Sequence, residues 1–271
     1  MSEIFSLNKI NFCYQPNQFA LKDITLSIYE GEILSIIGSN GSGKSTLLNI
    51  LCGLIFPVSG IIKYKGNVIN EKSFKDKQFN IKFRSTIGYV FQDADDQLFC
   101  PTVFDELIFG PLQLGLKHEE AYERADLIMK MLRIEYIKER PVYMLSGGEK
   151  KKVAIGAVLT MNPDIIIFDE PLSGLDPRTR SFIIELIFDL NKAKKTIIIT
   201  THHLELADHL QSRIILLGED HTIIKTGTSN EILSDTDLLI KTNLISEYPH
   251  KHENIIHKHF SDNFLFFRHK H

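Results

Sequence analysis

Residues 38–46 read GSNGSGKST and follow, without a break, the apolar run EILSII from Glu32 to Ile37. Glycine loses more conformational freedom on folding than any other residue, and no turn between a strand and a helix requires three in nine positions. A backbone this bare suits close approach by a ligand. Gly38, Gly43, Lys44 and Ser45 fit the spacing G-x-x-x-x-G-K-[ST], in which consecutive N–H groups close around phosphate oxygens at a helix N-terminus. In that arrangement Lys44 reaches the β- and γ-phosphates and Ser45 ligates magnesium. The candidate phosphate-binding residues are therefore Gly38, Ser39, Asn40, Gly41, Ser42, Gly43, Lys44, Ser45 and Thr46. The competing reading is a glycine-rich turn that happens to precede a lysine. Four fixed positions arise by chance in roughly one chain of this size in a hundred, before a strand in front and a helix behind are also required.

The runs around the loop point to one fold class. Ile33 to Ile37, Ile87 to Val90, Ile165 to Phe168, Thr196 to Thr200 and Ile214 to Leu217 are short, rich in Ile and Val, and mostly without polar alternation. Strands apolar on both faces belong inside a parallel sheet covered by helices. Helical patterns alternate with them: Lys44 to Cys52, Glu119 to Leu132 with Leu127, Ile128, Met131 and Leu132 on one face, Glu149 to Met161, and Arg178 to Asn191. The order predicts an α/β fold, with antiparallel strands expected in the first 30 residues and around Ile61 to Tyr64.

Composition removes several alternatives. Lys plus Arg total 31 against 34 Asp plus Glu, a formal charge of −3 that offers no generalised field for nucleic acid. Cys13, Cys52 and Cys100 are isolated from one another, so neither a disulfide framework nor a CxxC zinc site is signalled, and a reduced cytosolic setting is expected. No stretch has the unbroken apolar length needed to cross a bilayer, and the polar start MSEIFSLNKIN does not read as a secretory signal.

A nucleotide site also needs a carboxylate for metal and a group to orient water. DIIIFDE, residues 164–170, is an apolar strand ending in two acids: Asp169 would hold magnesium, directly or through water, and Glu170 would polarise the attacking water. Alone, the pair is no more than a strand running into an acidic turn. LSGGE, Leu145 to Glu149, is followed by the basic helix KKKVAIGAVL. Ser146 and Glu149 fit a capping box, which explains two of the five residues and leaves Gly147 and Gly148, whose N–H groups are again bare.

With these residues in place the chain resembles the ATP-binding cassette (ABC) ATPases over residues 1 to about 240. The phosphate loop, LSGGE, DIIIFDE, SGLD (Ser173 to Asp176) and Thr201-His202 occur in that family's order and approximate spacing. The resemblance implies a P-loop NTPase fold of the ABC type: a mostly parallel sheet core, an N-terminal antiparallel β subdomain, and a helical subdomain at about 95–160 that carries the signature. It implies that Tyr14 stacks on adenine and that Gln92 senses magnesium and the γ-phosphate, so that Ser45, Gln92 and Asp169 form the magnesium set. It makes Lys44, Gln92, Glu170 and His202 the catalytic group, with His202 rather than His203 at the switch position after the strand Thr196 to Thr200. Ser146, Gly147, Gly148 and Glu149 would contact ATP held by a second ABC subunit, identical or related, and Asp176 would link the two sites. ATP and magnesium are the expected cofactors. Glu149 stands where the family usually has Gln, and Lys152 where it often has Arg. Both keep hydrogen-bonding capacity and are expected to tune ATP affinity or dimer lifetime.

Residues 92–116, QDADDQLFCPTVFDELIFGPLQLGL, look more specifically like the energy-coupling-factor importers, whose paired ATPases drive a shared membrane subunit and take up cobalt, nickel or vitamins. The group places this region beside the groove for a membrane subunit's coupling helix. Asp93, Asp95 and Asp96 lack EF-hand spacing and read as a solvated turn. Thr102 and Asp105 fit a capping box, and Phe99, Phe104 and Phe109 would line a groove or pack inward, core packing being the better expectation for any one of them. The last 25 residues hold six of the eleven histidines: His250, His252, His257, His259, His269 and His271. H-x-H in extended chain places both imidazoles on one side, suiting nickel, cobalt or zinc. The tail, 241–271, is expected to bind transition metal through His250, His252, His257 and His259; the plainer account is a polar tail.

The function expected is thus the ATPase of a cobalt or nickel importer, peripheral on the cytoplasmic face of the membrane. Its expected partners are integral membrane coupling and substrate-binding subunits, and not nucleic acid. Vitamin uptake is the alternative within transport, and a soluble ABC ATPase of translation or DNA repair the alternative outside it. The translation type usually joins two cassettes and the repair type inserts a long coiled coil, and this chain shows neither. A metal-storage or sensor protein would leave the ATPase motifs idle.

Overall fold

The continuous apolar runs become the strands of a six-stranded sheet. The computed structural model describes residues 2–16 and 18–245 in full, and the backbone of 247–252 and 255–260. In chain order the first elements are β1 (Glu3–Gln15), β2 (Gln18–Tyr29), β3 (Ile33–Gly38), α1 (Lys44–Leu51), β4 (Ser59–Tyr64), β5 (Asn67–Val68), α2 (Lys77–Thr86) and β6 (Ile87–Val90). A helical stretch follows with α3 (Val103–Gln113), α4 (His118–Leu132) and α5 (Gly147–Leu159). Then come β7 (Ile165–Asp169), α6 (Pro177–Lys192), β8 (Thr196–Thr201), α7 (Leu204–His209), β9 (Arg213–Leu217), β10 (Ile223–Thr228), α8 (Ser229–Leu233) and α9 (Thr236–Lys241). Two strands, β11 (Glu247–His252) and β12 (Ile255–Phe260), close the order.

The main sheet runs β10-β9-β3-β8-β7-β6, and every pairing is parallel except the edge pair β9–β10. Apart from the edge strand β10, its strands are covered on both faces, as their largely unbroken hydrophobicity requires. Ile166 and Phe168 of β7, with Ile197 and Ile199 of β8, pack with the apolar side chains of α3 to α6. Their neighbours Ile165, Ile167 and Ile198 face the opposite way, into a cluster with α1 and the N-terminal strands. Those strands form a separate antiparallel sheet, β2-β1-β4-β5, as expected for the first 30 residues and for Ile61 to Tyr64. The architecture is the mostly parallel core with an antiparallel subdomain and a helical insertion. A third cluster joins Ile37, Leu204 and Leu216 to Ile232, Leu239 and Ile245, so packing continues five residues past the expected boundary at 240.

Topology positions the site. In a parallel sheet, ligand-binding loops gather beyond the carboxyl ends of the strands. β8 lies between β3 and β7, so its end at Thr200 and Thr201 falls between the phosphate loop after β3 and the acids after β7.

Two packing expectations need correction. On α4 the buried side chains are Ala121, Ala125, Met129 and Leu132, while Leu127 is 65% exposed and Met131 41%. The small alanines let α4 approach its neighbours, and side-chain bulk alone had pointed to the wrong stripe. Phe99 and Phe109 do not enter the core: they are 67% and 40% exposed and stack edge to face with ring centres 4.9 Å apart. Phe104 is half-buried, against Tyr122 and under the Lys138 ammonium.

Candidate functional site

The phosphate loop is shaped by its glycines. Gly43 has φ 103°, where an L side chain is strained, and a Cβ there would lie 2.2 Å from the Ala20 carbonyl oxygen. Gly43 thereby lets the loop pass tightly over β2 and turn into α1, whose first residue is Lys44. The Lys44 ammonium is buried and donates to the carbonyls of Gly38 at 2.9 Å and Ser39 at 3.1 Å. Burial lowers its pKa, and the charges of Glu170 and Asp169 oppose that shift. The hydroxyls of Ser39 and Ser42 are buried with no partner among the described residues. Orphaned donors inside a glycine-rich loop, beside a buried cation, fit the oxygens of a phosphate chain.

At the far side of the same cleft stand the acids of β7. Asp169 is 6% exposed and accepts hydrogen bonds from the Tyr89 hydroxyl at 3.1 Å and from the Thr200 hydroxyl. Tyr89 is itself raised in pKa, chiefly by burial, so it stays a donor. Held in this way, the carboxylate keeps lone pairs free for a cation, and Ser45 and Gln92 line the same cleft. The donor set suits magnesium. Glu170, 5% exposed, adopts φ 43°, a left-handed conformation that a non-glycine residue holds only when its surroundings impose it. The Glu170 N–H donates to the Thr200 carbonyl at 3.1 Å, and its carboxylate meets His202 Nδ1 at 2.9 Å. The strained backbone thus aims the Glu170 carboxylate at His202.

Gly43, Lys44, Ser45, Gln92, Asp169, Glu170 and His202 line one cleft of about 540 Å³, together with Tyr14, Asn40, Gly41, Thr46, Phe19 and His221. Tyr14 is 65% exposed, stands edge-on to Phe12 at 4.9 Å, and its hydroxyl lies 3.3 Å from Thr46 Oγ1. Its ring face is available for stacking at the rim.

The signature does not join them. Ser146 caps α5: its hydroxyl accepts from the Glu149 N–H, and the Glu149 carboxylate accepts from the Ser146 N–H at 2.8 Å and the Ser146 hydroxyl at 2.9 Å. The other Glu149 oxygen receives the Tyr136 hydroxyl at 3.0 Å and Arg140 at 3.3 Å. Hydrogen bonds from Ser146 and Tyr136 and the Arg140 charge outweigh partial burial and hold Glu149 below the usual carboxylate range. Ser146, Gly148, Glu149 and Asp176 line a second cleft of about 720 Å³ that shares no residue with the first. Asp176 caps α6 through the Thr179 N–H and hydroxyl. Gly147 lines a third groove with Gln92, Asp169 and Ser173. Nothing lies within 4 Å of where its Cβ would stand, so the chain's own packing does not require glycine there.

Tyr89, Thr200 and His221 were not legible as site residues. Tyr89 and Thr200 sit inside strands, where one polar atom on an apolar run reads as core, and His221 sits in the β9–β10 connection with no motif around it. The four tail histidines, His250, His252, His257 and His259, and also His269 and His271, have side chains outside the described residues. Their backbone register pairs His250 with His257. Among the described residues no group of three or more His, Cys, Asp or Glu could hold a metal ion. Among them, too, no helix is long and apolar enough to cross a membrane.

Comparison with known proteins agrees with this geometry. A family model described as ABC transporter matches residues 21–173. The chain is 40% identical over 241 residues to the energy-coupling factor transporter ATP-binding protein EcfA of Methanocaldococcus jannaschii, covering 89% of this chain and 85% of that one. It is 47% identical over 255 residues to a putative ABC transporter ATP-binding protein of Methanosarcina acetivorans, covering 93% and 92%. Among solved structures it resembles cbiO1 from Clostridium perfringens, part of the ABC transporter complex cbiONQ, with TM-score 0.77, 35% identity and coverage of 90% and 96%. It also resembles a dimeric ATP-binding cassette in a post-hydrolysis state bound to ADP and Pi, with TM-score 0.75, 30% identity and coverage of 83% and 99%. On the family model and these relatives, this chain belongs to the ABC transporter family and is one of its ATP-binding, ATP-hydrolysing subunits.

Proposed function

We propose that this chain powers an energy-coupling-factor importer of cobalt or nickel ions, working as one of two ATPase subunits on the cytoplasmic face of a membrane. Residues 1–245, five past the expected boundary at 240, would form the nucleotide-binding domain, with 95–160 as its helical subdomain and the remainder of the expected tail as a metal-contacting segment. The single observation that carries the ATPase part is the meeting of Glu170 and His202 at 2.9 Å in the cleft that Lys44 and Asp169 also line.

In this reading Tyr14 stacks on adenine, the N–H groups of 38–46 and the Lys44 ammonium hold the triphosphate, and Glu170 takes a proton from the attacking water while His202 orients its carboxylate. Magnesium, held through Ser45, Gln92 and Asp169, would neutralise charge on the phosphates when bound. The second cleft supports a two-subunit site. The N–H groups of Gly147 and Gly148, with the Ser146 hydroxyl, would face the γ-phosphate bound by the partner, and Asp176 would lie across the seam. Desolvation of the γ-phosphate between two rows of donors favours closure, and hydrolysis removes that contact. Similarity to EcfA and cbiO1 supports the importer class, and the six histidines after residue 249 support metal as the cargo.

The test is purification of the native complex from membranes, followed by identification of its subunits and bound cargo. A second ATPase subunit, or a second copy, is expected together with integral membrane subunits and cobalt or nickel. A vitamin-binding membrane subunit in their place would reassign the cargo, and recovery with no membrane subunit would overturn the importer reading.

A further inference from the structure

The sequence KKK, Lys150 to Lys152, reads as one basic patch, but the three lysines have different fates. Lys151 is 3% exposed, and its ammonium donates to the carbonyls of Phe91 at 2.9 Å and Gln92 at 2.7 Å. Helical periodicity separates it from its neighbours, because Lys151 shares a face with Gly147, Ala154, Ile155 and Val158. A second tie lies one turn further along. The Gln97 side chain accepts from the Phe91 N–H at 3.0 Å and donates to the Ala154 carbonyl at 2.7 Å. The segment from Phe91 to Gln97 is therefore strapped to α5 at both ends. Lys150 adds an ion pair to Asp95, which is exposed and contributes little.

The strap joins the two ends of the chemistry. The residue whose carbonyl Lys151 holds is Gln92, which lines the cleft of Lys44, Asp169 and Glu170. The helix from which Lys151 reaches begins at Gly147 of the signature. A buried ammonium on two carbonyls is costly to displace, so the loop and the helix start move together. The cost of keeping a lysine there is visible in its pKa, pushed down to about 8 by burial against the pull of Asp169, Asp93 and Glu170.

We propose that Lys151 is a positioning residue that locks the Gln92 loop to the signature helix, so that Gln92 reaches the γ-phosphate side of its own cleft only as the signature reaches the partner. This rests on the reading of Gln92 given above. Lys151 touches no substrate atom. It acts through the two carbonyls, and both belong to exposed residues that water can satisfy when the ammonium is removed, so its loss leaves the fold standing.

The experiment compares Lys151→Met, Lys151→Arg and Gln92→Ala with the wild type in the full chain. It measures ATP affinity, kcat and KM, and amide hydrogen exchange of 91–97. For Lys151→Met we expect unchanged ATP affinity and KM, a kcat lower by roughly ten-fold or more, and exchange in 91–97 faster by about ten-fold while β7 and β8 keep their protection. Lys151→Arg, which keeps charge and donors, is expected to recover kcat to within about three-fold. Unchanged exchange in 91–97, or an unchanged kcat, in Lys151→Met overturns the proposal, as does a kcat loss that arginine does not rescue. A normal rate for Gln92→Ala would instead refute the role given to Gln92, while the exchange data still report whether Lys151 holds the loop.

Discussion

The phosphate loop and the signature are both glycine-bearing helix starts, yet they are built on opposite principles. At the loop, the fold itself demands glycine: Gly43 sits at φ 103° with the Ala20 carbonyl where a Cβ would be. The groups around it are buried and braced, with Lys44 on two carbonyls and Asp169 on two hydroxyls. At the signature, Gly147 faces open space, the cap is satisfied within its own turn, and the cleft lined by Ser146, Gly148 and Glu149 shares no residue with the loop's cleft. A glycine that the chain's own packing does not need is a glycine kept for something that docks. One half of the site is therefore prepared inside the chain, and in the function proposed above the other is a surface for a second subunit.

The largest effects should come from giving each glycine a methyl group. Gly43→Ala is expected to damage both fold and function: backbone strain of roughly 1–3 kcal/mol, plus the clash with Ala20, should lower Tm and abolish ATP binding. Gly147→Ala should leave Tm unchanged or slightly raised, since alanine is the better helix residue by roughly 0.5–1 kcal/mol. It should keep ATP affinity yet lose roughly ten-fold or more in ATP-dependent dimerisation and hydrolysis. Thermal melts and nucleotide titrations of the pair separate the two kinds of glycine. Equal thermal destabilisation by both substitutions would erase the distinction.

A smaller effect is expected at Glu149. Its carboxylate binds the Ser146 hydroxyl, the donor that is to meet the partner's γ-phosphate, and brings a negative charge to the seam. Glu149→Gln keeps the cap while removing that charge, so the ATP-bound dimer should last longer by roughly two- to five-fold. A shorter lifetime, followed by dilution in a dissociation assay, would show that the carboxylate helps closure.

Much of this was legible because chemistry and periodicity coincide. Five of the six strands of the main sheet are mostly without polar alternation, a pattern suited to a doubly covered parallel sheet, and the loop, the acid pair and the signature together occur in an order that chance does not supply. What could not be seen lies where a neighbour decides. β10, IIKTGT, is an edge strand interrupted by Gly227, too short and polar to stand out among the apolar runs until β9 pairs with it. α2 buries only Phe83 and has little pattern to detect. The buried stripe of α4 runs through two alanines, which carry no bulk signal, and the exposed Phe99–Phe109 pair defies the usual fate of phenylalanine. In the site, Tyr89 and Thr200 matter through single hydroxyls aimed at Asp169, and only the register of β6, β7 and β8 brings them there.

That this site is completed by two chains is tested most directly by sedimentation velocity on Glu170→Gln, alone and with any ATPase subunit that co-purifies with it. Loss of the proton acceptor should slow hydrolysis by roughly a hundred-fold or more without weakening nucleotide binding. With magnesium and ATP the protein should therefore run as a stable dimer, and with ADP as a monomer. A species that stays monomeric with ATP bound, or a variant that turns over at the normal rate, would contradict a seam closed by the signature and opened by Glu170.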